Sequence, residues 1–114
     1  MKRINGIDSN MIANNLTPIL QTHPGEVIKD EVEARGMSQK TLADNMGMSY
    51  KALNDILNER RPVSVDSAMM FEAALGIPAQ TLLGLQIEYD IAKNKKDKSF
   101  LQRIASIKRV AAVL

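Results

Sequence analysis

The chain has 114 residues, room for one domain with a modest core and too few for two ordinary ones. It lacks cysteine, which excludes a disulfide framework and a thiolate metal site, and it offers no nucleophile–base set, metal cluster or phosphate-cradling glycine loop, so neither an enzyme nor a cofactor is expected. Net charge is only +2, but its distribution is lopsided: four acids and no base lie between Val63 and Asp90, whereas seven bases and one acid, Asp97, follow from Ile91 to Leu114.

Residues 1–22 are polar, asparagine-rich and without helical period, and are expected to form an irregular arm whose Leu16–Leu20 stretch has enough apolar surface to pack on something. Lys2 and Arg3 precede no long apolar run, and no segment approaches the roughly 20 apolar residues of a membrane span. A cytoplasmic protein without a membrane partner is expected. His23, the only histidine, is a poor metal site or acid–base catalyst by itself and is read as a loop or cap residue.

Pro24, with Glu26 in the opening turn, predicts a first helix running to Arg35 and ended by Gly36, with Val27, Ile28 and Val32 toward the core. Glu26, Asp30 and Glu33 fall on one face of it, but carboxylates stacked along one exposed helix are ordinarily solvated, and no ligand set from another element joins them.

From Ser38 to Asn58 the sequence SQKTLADNMGMSYKALNDILN predicts two short helices and a tight turn, a helix-turn-helix. Ser38 and Ser49 are N-cap residues, Gly47 supplies the bend, and small Ala43 lets the second helix approach closely. Leu42, Met46, Leu53, Ile56 and Leu57 recur at helical spacing as the inward faces. With Leu53 inward and about 100° per residue, Lys51, Asn54, Asp55 and Asn58 fall on the far side of the second helix and Tyr50 at its margin. In such a motif the second helix enters the DNA major groove with its N-terminal residues nearest the bases. Lysine suits guanine O6 and N7, asparagine suits adenine N6 and N7, and the tyrosine ring suits a thymine methyl.

Tyr50, Lys51, Asn54 and Asp55 are therefore the expected base readers. Asp55 has three roles open to it: accepting from cytosine N4, repelling wrong sequences, or orienting Lys51 four residues earlier, and the third is preferred. Gln39, at the positive end of its helix, is assigned a phosphate contact, and Arg60 and Arg61 are placed to reach flanking phosphates. Tryptophan is absent, which argues against a stacking platform for single strands.

Pro62 stops the second helix near Asn58. Ser64 then caps a fourth helix carrying Met69, Phe71, Ala73, Ala74 and Leu75 and closing at Gly76, and Pro78 opens a fifth. The fifth carries Leu82, Leu83, Leu85, Ile87 and Ile91 on more than one side, so burial against the first and fourth helices and against a second subunit is expected. After a charged break at Asn94–Lys98, the spacing of Phe100, Ile104, Ile107 and Ala111 predicts a sixth, amphipathic helix from Ser99 to Leu114, with packing, dimerisation or partner docking as its candidate roles.

In this order the motifs resemble the XRE/Cro-like helix-turn-helix family, and within it HigA-type, VapI-like antitoxins. The resemblance covers roughly residues 23–93. It rests on His23-Pro24-Gly25-Glu26, on Gly36 through Ala43, on Met46-Gly47-Met48-Ser49, on Leu57-Asn58 with Arg61-Pro62-Val63-Ser64, and on Ala73 through Pro78 ahead of Leu85-Gln86.

It implies an all-α fold: a five-helix lambda-repressor-like domain over 23–93, with the N-terminal arm before it and a basic linker and C-terminal helix over 94–114 after it. It also implies a homodimeric, autoregulatory bacterial repressor, nucleoid-associated, that binds a palindromic operator in double-stranded DNA and neutralises a HigB-type mRNA-cleaving toxin. Carried over by position, base reading falls on Tyr50, Lys51, Asn54 and Asp55, and backbone contact on Gln39, Ser49, Asn58 and Arg61. Glu59 departs from the family at a position where glycine is frequent, and Leu82 where an aromatic is frequent. A stand-alone regulator without a toxin, and an adaptor that has lost DNA binding through Asp55 and Glu59, remain open alternatives.

Overall fold

The computed structural model describes residues 21–114, and these contain six helices and no strand: α1 (Pro24–Ala34), α2 (Gln39–Met46), α3 (Tyr50–Leu57), α4 (Val65–Leu75), α5 (Ala79–Asn94) and α6 (Lys98–Ala111). The all-α expectation holds. The arm expected over residues 1–22 lies, up to Leu20, outside the described residues. The described chain divides into two compact units, Thr22–Ile87 and, from Glu88 onward, a second.

In the first unit each helix begins where a polar side chain satisfies an otherwise unpaired N–H. His23 Nδ1 accepts from the Gly25 N–H at 2.9 Å, which makes this buried histidine the N-cap of α1 ahead of Pro24. Ser38 accepts from Thr41, Ser49 from Ala52, and Ser64 forms a reciprocal capping box with Ser67. The helices end as consistently. Gly36, Gly47 and Gly76 have φ of 64°, 68° and 76°, and at Gly47 the bonds Gly47 N–H to Asp44 O and Met48 N–H to Ala43 O form the Schellman turn that separates α2 from α3.

One core holds this unit together. Ile28 and Val32 of α1, Leu42 and Ala43 of α2, Leu53, Ile56 and Leu57 of α3, Ala68, Phe71 and Leu75 of α4 and Leu82 of α5 are buried together with Val63 of the intervening loop. Each large aliphatic or aromatic side chain removed from water here contributes about 1.5–3 kcal/mol before entropy is set against it. Leu82 is fully buried and is a core position. One apolar expectation is corrected: Val27 is only half-buried. Met69 of α4 faces outward at 61% exposure.

Two polar ties fix the loops. Gln86 Oε1 accepts from the Val63 N–H at 2.8 Å, fastening the loop after α3 to α5. Arg35 donates to the Leu75 carbonyl at 2.6 Å, joining the end of α1 to the end of α4. A closer approach involves no side chain at all on one partner: a Cβ built on Gly25 would stand 2.0 Å from the Ile56 carbonyl oxygen. Only glycine lets α1 seat its first turn against the backbone of α3.

In the second unit the expected break at Asn94–Lys98 is shorter than the charge run suggests. α5 runs through Asn94, and α6 starts at Lys98 rather than Ser99 because Asp97 caps it, accepting from the Phe100 N–H at 3.1 Å. None of the α6 side chains is buried among the described residues, and Phe100, Leu101, Ile104 and Ile107 form its apolar side. No helix among the described residues is long and apolar enough to cross a membrane.

Candidate nucleic-acid interface

The inward residues of α3 dictate what its outer face can present. Leu53, Ile56 and Leu57 are buried in the core, α3 packs on α1 and α2, and the helix therefore has one rotational setting. Tyr50 and Lys51 lie exposed at its amino end, Lys51 with 83% of its side chain in solvent. The same setting turns Asn54 and Asp55 outward, beside the residues that follow the helix.

A hydrogen-bonded chain runs across this face. Asn54 Nδ2 donates to Gln39 Oε1 at 3.2 Å, linking the middle of α3 to the first residue of α2. Arg60 Nη2 donates to Asn54 Oδ1 at 3.0 Å, and Arg60 Nε and Nη2 both donate to Asp55 Oδ1, at 3.2 and 3.1 Å. Lys51 Nζ donates to Asp55 Oδ2 at 3.0 Å, and Arg61 Nη2 stands 3.8 Å from the same oxygen. Three cations thus converge on one carboxylate. Lys51 first, and Arg60 with it, hold the Asp55 carboxyl below the ordinary carboxylate range against the opposing effect of its partial desolvation.

Arg60 reaches back over α3 because of how that helix ends. The Arg60 N–H bonds to the Asp55 carbonyl at 2.7 Å and the Glu59 N–H to the Ile56 carbonyl at 3.0 Å, the pair of bonds of a Schellman turn. The turn requires a left-handed residue at 59, and Glu59 adopts φ 65°, the one non-glycine residue with positive φ among those described. The departure from glycine noted in the sequence is therefore a departure in chemistry but not in backbone shape. Glu59→Gly is expected to stabilise the domain by about 1 kcal/mol, because an L-residue in this region costs roughly that much. Glu59→Ala removes the same charge but keeps the penalty; if it raises the melting temperature as much as Glu59→Gly, strain is not the cause.

The expected site residues are thus brought to one surface, with four qualifications. Asp55 pairs with Lys51 four residues earlier, and the carboxylate also takes Arg60 and Arg61, which spacing along a helix did not suggest. Asn58 uses its amide donor on the Asn54 carbonyl at 2.9 Å, as a helix cap. Gln39 has its carbonyl engaged by Asn54, which leaves its amide N–H donors. Ser49 accepts the Ala52 N–H and retains a hydroxyl proton to donate. The Gln39–Asn54 bond joins residues fifteen apart and has no signature in local sequence.

A surface helix held by a glycine turn against a second helix, its outer face carrying lysine, asparagine and following arginines, defines a helix-turn-helix protein. The family described as Helix-turn-helix matches residues 28–82. The Virulence-associated protein I of Dichelobacter nodosus is 31% identical over 83 residues, 72% of this chain and 77% of that one. Among solved structures, an addiction-module antidote protein of the HigA family from Coxiella burnetii is 28% identical with a TM-score of 0.65, covering 75% of this chain and 92% of its own. The Pseudomonas aeruginosa antitoxin HigA, solved with the higBA promoter, is 33% identical with a TM-score of 0.62, covering 68% of this chain and 89% of its own. The chain belongs to the XRE-type helix-turn-helix family, in its HigA-type, VapI-like antitoxin branch.

Proposed function

We propose that this chain is a homodimeric bacterial repressor that lays α3 in the major groove of a palindromic operator in its own promoter, and that it neutralises a HigB-type mRNA-cleaving toxin encoded beside it. It acts in the cytoplasm, on nucleoid DNA, and performs no catalysis itself. The observation that carries the DNA half is the single outward face on which Lys51, Asn54, Arg60 and Arg61 stand together, next to the exposed Tyr50. Tyr50, Lys51 and Asn54 face the base edges, Ser49, Gln39, Arg60 and Arg61 the phosphates. Asn58 contributes through its place at the end of α3. Likeness to antitoxins, one of them solved with its promoter, supports the toxin half.

The test is to incubate purified protein with sheared genomic DNA of its own organism at near-physiological salt and sequence the retained fragments. Enrichment of a palindrome, with half-sites about one helical turn apart, upstream of this gene and a small neighbour is the expected result. Expression of that neighbour alone should then arrest growth, and co-expression of this chain should relieve the arrest. Enrichment at many unlinked promoters, with a harmless neighbour, would establish a stand-alone regulator instead.

A further inference from the structure

The cations proposed to meet DNA are not waiting in solvent. Lys51, Arg60 and Arg61 all point at Asp55, whose side chain is only 13% exposed beneath them, and Arg60 also occupies the carbonyl oxygen of Asn54. Asn54's amide nitrogen is bonded to Gln39. Both ends of this asparagine, and the three nearest positive charges, are therefore satisfied by the protein's own groups. A carboxylate receiving an ammonium and a forked guanidinium reproduces what a phosphate offers: two or more anionic oxygens at hydrogen-bond distance.

We propose that Asp55 is a built-in competitor for the nucleic acid: its carboxylate holds Lys51, Arg60 and Arg61 in the free protein, and a duplex binds by exchanging that carboxylate for phosphate oxygens at Arg60 and Arg61 and for base-edge acceptors at Lys51. The inference rests on the DNA-binding function proposed above. Each exchanged pair swaps one charge-assisted bond for another, so the gain per cation is small. The displaced carboxylate is left beside phosphates, where it takes up a cation from solution. Uptake of one cation offsets about one of the counterions released from the DNA, which makes the salt dependence of binding shallower than the number of phosphate contacts would give.

The consequence is that Asp55 restrains binding to any duplex, whereas a carboxylate that merely aligned Lys51 and Arg60 would promote it. Asp55→Asn keeps the shape while removing the charge and one of the two acceptor oxygens, and Asp55→Ser removes the carboxylate altogether. Helical circular dichroism and thermal melting check that both variants fold. Affinity for a short random-sequence duplex is then measured over a salt series for wild type and both variants. Expected are an approximately three- to tenfold tighter complex for each variant and a log–log salt slope steeper by about one unit.

Weaker binding with an unchanged slope would overturn the proposal and make Asp55 a positioning residue. Unchanged affinity and slope would overturn it and leave Asp55 without influence on binding. Binding by the variants where wild type shows none would support it in its strongest form. Failure of all three proteins to bind any duplex, the operator included, would overturn both this inference and the DNA-binding function, and so differs from failure of the inference alone.

Discussion

Gly25→Ala is expected to lower the stability of the domain by about 3 kcal/mol or more, and its melting temperature by on the order of 12 °C. The new methyl would stand 2.0 Å from the Ile56 carbonyl oxygen, and that oxygen belongs to the backbone of α3, which cannot move aside as the end of a flexible side chain does. Relief requires α1 to shift relative to α3, and Ile28 and Val32 would then leave their places beside Leu53 and Ile56 in the core. The first turn of α1 suffers as well, because the Gly25 N–H is the group that the His23 cap satisfies. Gly84 supplies the control. A Cβ there meets nothing within 4 Å, so Gly84→Ala in the middle of α5 should stabilise by about 0.5–1 kcal/mol. Equal melting temperatures for the Gly25→Ala variant and wild type would show that the close approach is not needed.

Lys51→Ala should weaken operator binding by about 1–3 kcal/mol and relax the preference at one base pair in each half-site. Lys51 projects from the amino end of α3, the end that lies deepest in the groove in this class of motif. Arg61→Ala should instead weaken specific and random duplexes alike and reduce the salt slope by about one unit, since a phosphate carries no sequence information. The two variants are best compared on the operator, on single-base-pair variants of it and on random duplex. Identical losses on all three for Lys51→Ala would remove it from the base readers and place it with the phosphate contacts.

Most of the helical framework was legible in the chain because it is written in local chemistry. Serines at 38, 49 and 64, prolines at 24, 62 and 78 and glycines at 36, 47 and 76 each act through a hydrogen bond or a backbone angle within a few residues of themselves, and the helix ends fall where those groups predict. The core followed from periodicity, with Val27 misplaced because an apolar residue at the edge of a helical stripe carries no mark of which side it will take. The start of α6 was missed by one residue, since Asp97 was taken with the surrounding lysines as a charged break when its carboxylate is a cap.

The site was legible as a set of residues but not as a set of bonds. Helical geometry brought Lys51 to Asp55, four residues apart. It did not bring Arg60 there, because that contact depends on the chain reversing at a glutamate in the left-handed conformation, where glycine would have announced the turn. The meeting of Gln39 with Asn54 depends on the packing of α2 against α3, and no local pattern encodes it. Gly25 lay in plain view within the His-Pro-Gly-Glu motif, yet its close contact comes from a segment some thirty residues distant.

Glu59 also bears on how long the molecule lasts. An asparagine side chain ages when the backbone nitrogen of the next residue attacks its amide carbon, closes a five-membered imide and expels ammonia. The reaction is fastest when that next residue is glycine, which has no side chain to obstruct ring closure. Asn58 is followed by glutamate, and its amide is held on the Asn54 carbonyl. The strained residue that lowers the stability of the fold therefore shields its neighbour from a slow chemical change that would place a new negative charge at the end of α3.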